Sequence, residues 1–236
     1  MSEQEFLKSY NIHDFDVPLC SVDMSIFGVI DGELNVLLVK RDEHPEKDKW
    51  ALPGGFIDLK KDKDIDSTAY RKLKEKTGIR SPYLEQIQTI GGAMRDARGW
   101  SITVLYYALI DANKVKGDLI TERSHWVPVS KIKKLDLAFD HKVLIKLANE
   151  RLKAKTTYSA LPIELMPKDF TLTELQTVFE IILERDLQLK AFRRRLLAAD
   201  LVEETGNSKI AGKRPAKLYR STGKDRNTTF SQSLKV

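Results

Sequence analysis

Two arginines stand close together on a glycine-rich stretch between two predicted strands. The segment from Gly91 to Trp100 contains Arg95 and Arg98. Because a guanidinium presents a rigid fork of N–H donors, two of them on one loop could grip neighbouring phosphate groups. Trp100, or Phe56 further upstream, could stack on a base, although a place in the core accounts for either aromatic equally well. The alternative interpretation of the loop is a solvated basic turn.

A second charged cluster lies on a helix that we predict over residues 65 to 77. Glu75 shares this helix with Lys72 and Lys76. Lysines can offset the charge of a diphosphate without a metal, but they supply no nucleophile. Arg71 stands one turn before Glu75, and this spacing favours an ion pair within the helix over a direct contact between Arg71 and a ligand.

The excess of positive charge is confined to the last third of the chain. Residues 151–236 hold 17 Lys and Arg against 10 Asp and Glu, a net charge of +7, whereas residues 1–150 hold 23 against 24. Such asymmetry indicates a polyanionic partner for the basic part, although a solvated basic tail would show the same total.

Many of these cations belong to a predicted helix–turn–helix with a wing. Thr171 and Glu174 form a capping box ahead of one apolar-periodic helix, and a second helix runs over residues 188–199. Short strands are predicted at 201–204 and 216–220, so the whole describes a winged helix-turn-helix that binds DNA. The residues of the second helix expected to face inward are Leu189, Phe192 and Leu196. The side chains expected to contact DNA are Lys190, Arg193, Arg194 and Arg195 on that helix and Lys209, Lys213 and Arg214 at the wing tip.

A mixed sheet flanked by helices is predicted for the front of the chain. Residues 22–30 and 34–39 surround the turn dipeptide Asp31-Gly32, which indicates a hairpin. Residues 101–110 are rich in β-branched and aromatic residues, which favour a strand. The remaining candidates are strands at 85–91 and 125–128, a helical stretch within 131–153, and caps for the 65–77 helix at Asp64 or Asp66 and at Gly78.

The predicted fold class is therefore α+β, with two domains. A mixed-sheet α/β/α domain occupies residues 1–153 and a winged helix-turn-helix domain occupies residues 170–236. Residues 154–169 contain Pro162 and Pro167 and are predicted to form a polar linker.

The bulk composition excludes several classes of protein. No apolar run among the 236 residues approaches the roughly 18 that a membrane span needs, and the polar N-terminus is not a secretory signal. A single cysteine, Cys20, excludes an internal disulfide, so a cytoplasmic location is the simplest expectation. The four histidines lack metal-ligand spacing, and we expect no bound metal and no required cofactor.

One stretch of the chain resembles the signature box of the Nudix family. That box reads Gly, five residues, Glu, seven residues, Arg-Glu, an apolar residue, any residue, Glu-Glu, any residue, Gly and an apolar residue. Leu52-Pro-Gly-Gly-Phe56 precedes the predicted helix, and residues 71–79 read Arg-Lys-Leu-Lys-Glu-Lys-Thr-Gly-Ile. The positions that match the box after its second spacer are Arg71, Leu73, Glu75, Gly78 and Ile79.

The departures from the box concern the metal. In that family the helix glutamates hold Mg²⁺ ions, which require several carboxylates on one face. Here the distance from Gly55 to Arg71 is two residues too long, the first box glutamate falls on Lys63, and Lys72 and Lys76 take two of the three helix positions. An ammonium ~4 Å from a divalent cation would repel it by roughly 8 kcal/mol at an effective dielectric of 20. We therefore expect a domain that binds a nucleotide without hydrolysing it.

The arginine loop adds a second resemblance. Arg95-Asp-Ala-Arg-Gly99 is similar to the Arg-Asp-Pro-Arg-Gly loop of ADP-ribose and NADH-type Nudix proteins, with Ala97 in place of proline. Residues 192–197 and 212–220 resemble short sequence motifs of the NrtR family of Nudix-related transcriptional regulators. That resemblance implies a homodimer on a palindromic operator, repression of NAD biosynthesis genes, and release by ADP-ribose.

These observations lead to one expected function and two alternatives. We expect a DNA-binding repressor with a catalytically degenerate Nudix-like domain. One alternative is an active ADP-ribose pyrophosphatase with an appended nucleic-acid-binding module, and the other is an RNA-binding factor. The residues expected to bind ADP-ribose are Arg41, Gly55, Phe56, Arg71, Glu75, Arg95, Arg98 and Trp100.

Overall fold

A seven-stranded sheet and a two-stranded wing organise the chain. The computed structural model describes residues 1–78, 83–115, 123–211, 214–224 and 229–230. The helices are α1 (Glu3–Ser9), α2 (Ile65–Thr77), α3 (His141–Thr156), α4 (Leu172–Leu183) and α5 (Leu189–Ala198). The strands are β1 (Leu19–Ile30), β2 (Glu33–Lys40), β3 (Trp50–Ala51), β4 (Gly54–Phe56), β5 (Tyr83–Gly92), β6 (Ser101–Leu109), β7 (Ser124–Pro128), β8 (Val202–Ala211) and β9 (Arg214–Ser221).

The predicted hairpin is confirmed at β1 and β2. Ile30 pairs with Glu33 across a two-residue loop, and Asp31 and Gly32 have φ values of 49° and 76°. Two positive φ angles define the type I′ turn whose twist matches that of the strands. Aspartate and glycine are the residues that tolerate this geometry, which is why the dipeptide identified the turn.

The sheet is mixed, as predicted. Its strands follow the order β3-β2-β1-β6-β5, with β4 paired to β1 and β7 paired to β2. Strands β1 and β6 run parallel, from the pair Leu19–Ser101 to the pair Phe27–Leu109, while the other pairings are antiparallel. The centre of β1 is buried on both faces, so helices must cover the sheet on both sides.

Helix α2 covers one face of the sheet. Asp64 caps its first turn by accepting a hydrogen bond from the backbone N–H of Ser67 at 2.7 Å, and Gly78 ends it with φ at 68°. Ala69 and Leu73 are fully buried against the apolar residues of β1 and β6. Ile79, which matched the Nudix box, lies outside the described residues.

Helix α3 covers the opposite face, begins inside the range 131–153 that was predicted to contain a helical stretch, and continues three residues beyond it. Residues 129–134 form a 3₁₀ turn, and the α-helix starts only at His141. Leu144, Ala148 and Leu152 are fully buried in a core that continues into the winged helix. The two domains therefore share one apolar core on this side of the sheet.

The segment predicted as a polar linker is largely buried. Residues 154–156 belong to α3, and Leu161–Leu165 form a 3₁₀ turn. Leu161 is 1% exposed, and Ile163 and Leu165 join the shared core. The prolines and polar residues predict an exposed connection, but the apolar residues between them pack into the shared core and fix the connection between the two domains. The domain boundaries themselves stay predictions.

The wing strands extend beyond the predicted short strands. The ladder of β8 and β9 continues from Val202–Ser221 to Ala211–Arg214, past an irregularity between Glu204 and Ser208. The predicted tip residue Lys213 lies outside the described residues, as does the placement of the Arg214 side chain. Across the described ranges, no helix is long and apolar enough to cross a membrane.

Candidate functional site

A polar cleft of about 250 Å³ opens beside the first half of β1. Strand β4 forms part of its wall, and the segment between β5 and β6 forms another part. Of the predicted ligand residues, those that line the cleft are Arg41, Gly55, Phe56, Arg95 and Arg98. The cleft therefore unites predicted residues from three separate stretches of the chain.

The wall at β4 requires glycines because the backbones approach closely. A Cβ atom at Gly54 would lie 2.4 Å from the carbonyl oxygen of Val22. Gly55 has φ at 149°, and a Cβ atom there would lie 2.9 Å from Cε of Lys72. A side chain at Gly54 would push β4 away from β1, whereas a side chain at Gly55 would strain the backbone at its positive φ and displace the end of Lys72.

Arg95 is held at the cleft by two carboxylates. Its Nε and Nη2 atoms donate to the two carboxylate oxygens of Asp140 at 2.7 and 2.8 Å, and Nη2 lies 3.7 Å from Asp23. Burial alone would lower the pKa of this guanidinium, but the bonds to Asp140 and the negative charges of Asp140, Asp23 and Asp96 together outweigh it, and the pKa is raised. Arg95 therefore presents a permanent, fixed positive charge.

Arg98 is paired with an aspartate and stacked on a ring. Its guanidinium donates to both carboxylate oxygens of Asp96, with Nη2 to Oδ2 at 2.6 Å. The same guanidinium lies 4.9 Å from the centre of the Phe56 ring, while that of Arg41 lies 4.7 Å from the Phe139 ring. Two aromatic rings thus flank the cations, a setting that also suits a nucleobase.

A buried histidine completes the floor of the cleft. The backbone N–H of Leu52 donates to Nδ1 of His141 at 2.8 Å, so the proton of the neutral ring is on Nε2, 3.7 Å from Asp23. Burial lowers the pKa of His141. The hydroxyl of Ser101, also buried at the cleft, has no hydrogen-bond partner within the described residues and can bind a ligand.

Sequence reasoning missed several residues of the cleft. Most of them are distant in the chain from the residues that they contact, as Asp140 is from Arg95, and none belongs to a periodic pattern. Two of them had a local signal: Asp140 stands directly before a helix, and Asp96 stands between the two arginines of the loop. The missed residues are Asp23, Asp96, Ser101, Phe139, Asp140 and His141.

Arg71 and Glu75 do not line the cleft but an adjoining pocket that shares Gly55 and Phe56 with it, and their role as ligand residues stays a prediction. Arg71 Nη1 donates to Glu75 at 3.1 Å, as the helical spacing predicted, but its stronger partner is Asp62, reached by Nη2 at 2.6 Å and Nε at 2.7 Å. Lys72 Nζ lies 3.2 Å from the other oxygen of Glu75. Burial raises the pKa of Glu75, but the two cations outweigh it and the pKa lies below its usual range. Both oxygens of Glu75 are therefore engaged by cations.

Two further residues of the sequence analysis, Lys76 and Trp100, lie on different sides of the cleft boundary. Lys76 lines the cleft, whereas Lys72 lies behind Gly55. Trp100 is half-exposed and does not line the cleft, because its indole packs over Gly91, where a Cβ atom would lie 2.9 Å from the ring. Within the described ranges, no group of three or more His, Cys, Asp or Glu side chains is arranged to hold a metal ion.

The predicted DNA surface lies on α5 and the wing. Lys190 and Arg194 are exposed, whereas Arg193 and Arg195 are partly buried. Arg193 donates to the hydroxyl of Thr173 at 3.0 Å, so α4 holds it in place. The buried residues of α5 are Phe192 and Leu196, as predicted, while Leu189, also predicted inward, is 41% exposed because it lies in the first turn.

The wing is fixed to the start of α4. The ammonium of Lys209 forms an ion pair with Glu174, the glutamate of the predicted capping box. Burial raises the pKa of Glu174, but the bonds from Lys209 and Thr171 outweigh it and the pKa is lowered. Lys209 thus has an intramolecular partner, which its prediction as a DNA contact did not foresee.

Comparisons with known proteins cover both parts of the chain. The family model of the NUDIX domain matches residues 21–148, and that of the NrtR DNA-binding winged helix domain matches residues 162–221. The ADPR responsive transcriptional repressor NtrR of Acinetobacter baylyi is 54% identical over 99% of this chain and 94% of its own length.

Two solved structures of Shewanella oneidensis NrtR are also similar. Its complex with a 27mer DNA superposes with a TM-score of 0.88, at 41% identity over 92% of this chain and 99% of that chain. Its NUDIX domain complexed with ADP ribose gives a TM-score of 0.56, at 42% identity over 64% of this chain and 99% of that chain. With both domains matched in order and a relative at 54% identity along almost its whole length, the chain belongs to the NrtR family of transcriptional repressors.

Proposed function

We propose that this protein is a repressor that binds operator DNA through its winged helix and releases it when ADP-ribose occupies the cleft. The observation that carries the proposal is the Arg95–Asp140 ion pair, which joins the cleft to the helix leading into the winged helix. The names of the relatives support the ligand and the nucleic acid. Homodimeric binding to a palindrome and control of NAD biosynthesis genes belong to the same proposal.

The cleft offers complementary groups for each part of ADP-ribose. Arg95 and Arg98 converge on it as two guanidinium forks, the geometry that suits a diphosphate. Phe56 and Phe139 supply ring faces for the adenine, and the unpartnered hydroxyl of Ser101 can bond a ribose or phosphate oxygen.

The diphosphate would compete with aspartates for the arginines. In the described structure Arg95 is bound to Asp140 and Arg98 to Asp96. A phosphate that draws Arg95 toward itself weakens the bond to Asp140, the residue directly before α3. Ligand binding and the anchoring of α3 are therefore linked through one guanidinium.

Helix α3 can pass this change to the DNA-binding domain. Its C-terminal half shares an apolar core with α4, and Lys153 forms an ion pair with Glu184 at the end of α4 at 2.7 Å. A movement of α3 thus changes the placement of α4 and α5. A tenfold release of DNA requires only about 1.4 kcal/mol of differential affinity between the two arrangements.

We propose further that the domain does not hydrolyse its ligand. Glu75 is the one helix glutamate that remains of the Nudix box, and Arg71 and Lys72 bind both of its oxygens. Lys76 places an ammonium in the wall of the cleft, where a metal would be repelled. The alternative, an active pyrophosphatase, predicts AMP after incubation of the purified protein with ADP-ribose and Mg²⁺, whereas we expect none.

A titration of a protein–DNA complex tests the proposal. Duplexes that bind the full chain are first selected from a random pool, and fluorescence anisotropy then follows the complex as ADP-ribose is added. We expect at least a tenfold loss of DNA affinity at saturation. Unchanged affinity at saturating ADP-ribose would refute the coupling, and stronger competition by single-stranded RNA than by duplex DNA would favour the RNA-binding alternative.

A variant at Asp140 separates the coupling of ligand binding to DNA release from ligand binding itself. Asp140→Asn removes the charge that restrains Arg95 but leaves a side chain of similar size. We expect this variant to bind ADP-ribose more tightly and to show weaker release of DNA, because the ion pair no longer has to be broken. Asp136→Asn is a matched control, since Asp136 is an exposed partner of Lys49.

A further inference from the structure

The far end of the wing exposes an isoleucine to solvent. Ile210 in β8 is 85% exposed, compared with 41% for Leu189 and 49% for Leu197, the other large apolar residues exposed in the described part of the winged helix. Its cross-strand partner Pro215 is also exposed. Two apolar side chains therefore stand together at the tip of a hairpin that otherwise carries lysines and arginines.

The register of the wing shows why no part of the domain covers Ile210. Side chains alternate between the two faces of a strand, so Ile210 and its neighbour Lys209 point in opposite directions. Lys209 forms an ion pair with Glu174 at the start of α4, which assigns its face to the body of the domain. The face that carries Ile210 and Pro215 is thus turned away from α4.

An irregularity separates the base of the wing from its tip. Gly206 has φ at 79°, and the register shifts between Glu204 and Ser208, which marks a bulge that bends the hairpin. Below the bulge, Glu204 accepts hydrogen bonds from Lys217 at 2.9 Å and from the hydroxyl of Tyr219 at 3.1 Å. The base is therefore fixed, and the apolar tip extends beyond it.

We propose that Ile210 enters the minor groove of the bound duplex beside the segment read by α5 and selects A·T over G·C base pairs there. Apolar side chains are used as wedges in minor grooves, where they contact sugars and base edges. In the minor groove a G·C pair differs from A·T by the exocyclic amino group of guanine. Isoleucine cannot accept a hydrogen bond from that amino group, so it would be desolvated without compensation. The inference rests on the proposed DNA binding but not on ADP-ribose.

Inosine provides the test, because an I·C pair presents the major groove of G·C without the minor-groove amino group. In a duplex selected with the full chain, each flanking pair outside the α5 segment is changed in turn to A·T, G·C or I·C. At one or two positions per flank we expect wild-type protein to bind A·T and I·C equally and G·C about fivefold more weakly, the lower end of single-pair effects. Equal binding of all three at every position would overturn the proposal.

Variants at the tip complete the experiment. Ile210→Asn should remove the distinction between I·C and G·C, because its amide can accept a hydrogen bond from the guanine amino group. Ser208→Asn, two residues away on the same face of β8, should retain the distinction. Retained discrimination by Ile210→Asn would also overturn the proposal. Release by ADP-ribose should be unchanged in both variants, and failure of wild-type protein to bind any duplex would instead refute the proposed function.

Discussion

Arg71 and Arg95 form the same kind of ion pair in two different settings. Each donates through two nitrogens to both oxygens of one aspartate, Arg71 to Asp62 and Arg95 to Asp140. The Arg71 pair joins residues nine positions apart beside α2 and lies outside the cleft. The Arg95 pair joins residues 45 positions apart, lines the cleft and lies at the start of α3. The position of an ion pair between elements, rather than its chemistry, decides whether it can respond to a ligand.

The two faces of the sheet differ in the same way. The core beneath α2 consists of residues from the front domain alone, including Val22, Leu73 and Tyr106. The core beneath α3 continues from Leu144 to Phe179 of the winged helix. One face therefore stabilises the fold of its own domain, and the other joins the ligand domain to the DNA-binding domain.

The largest expected effect comes from a cavity in the shared core. Phe179 is fully buried, with its ring 4.9 Å from that of Phe192. Phe179→Ala should lower the free energy of unfolding by about 3–5 kcal/mol and speed hydrogen exchange in both α5 and α3. Leu73→Ala, the matched change beneath α2, should leave exchange in α5 unaltered. Normal protection of α3 in Phe179→Ala would show that the two cores are separate.

Removal of Arg95 should produce the next largest effect. Arg95→Ala loses charge-assisted bonds to a phosphate, each worth about 1.5–3 kcal/mol, so the affinity for ADP-ribose should fall roughly tenfold to hundredfold in calorimetric titrations. Arg71→Ala should lower the melting temperature, because the buried carboxylate of Asp62 loses its cationic partner, while the affinity changes less than about twofold. Equal losses of affinity in the two variants would contradict the distinction between these arginines.

A smaller effect should appear in the pH dependence of stability. Burial lowers the pKa of His141, so below about pH 6.5 the unfolded chain takes up a proton that the folded chain does not. The free energy of unfolding should therefore fall with decreasing pH, by at most about 1.4 kcal/mol per pH unit. His141→Asn retains an acceptor for the Leu52 N–H and should flatten this dependence in urea unfolding between pH 7.5 and 5.5. An identical slope in the variant would assign the proton uptake elsewhere.

The smallest expected effect concerns the ion pair between α3 and α4. Lys153 is partly buried, but Glu184 is largely exposed, and such pairs contribute about 0.2–1 kcal/mol. A double-mutant cycle with Lys153→Ala and Glu184→Ala should give a coupling energy in that range that disappears at high salt. A larger, salt-resistant coupling would mean that charge, rather than the shared core, holds the two helices together.

Local patterns predicted the elements well because their causes are local. The Asp31-Gly32 turn, the Thr171–Glu174 capping box and the Gly78 helix end each depend on residues within one or two turns. The central β1 and β6 strands followed from their β-branched and aromatic composition. The sequence therefore contained the two-domain architecture in its short-range spacing.

Long-range contacts left no such signal. Arg95 and Asp140 are in different loops, and Asp62 reaches Arg71 from outside the helix, so the correct partners could not be inferred from spacing. The buried segment Leu161–Leu165 was interpreted as a linker because its apolar residues stand among prolines and polar residues without a period. These errors fall at the connection between the two domains and at the cleft, where the fold brings distant segments together.

Because Arg95 and Arg98 have separate aspartate partners, the number of phosphates in a ligand decides how many of the two ion pairs the ligand can replace. A molecule with a single phosphate can replace the negative charge of one aspartate but leaves the other ion pair intact. Two linked phosphates can satisfy both guanidinium groups at once. We therefore expect the cleft to discriminate against nucleoside monophosphates, which carry one phosphate, in favour of ligands that carry two linked phosphates.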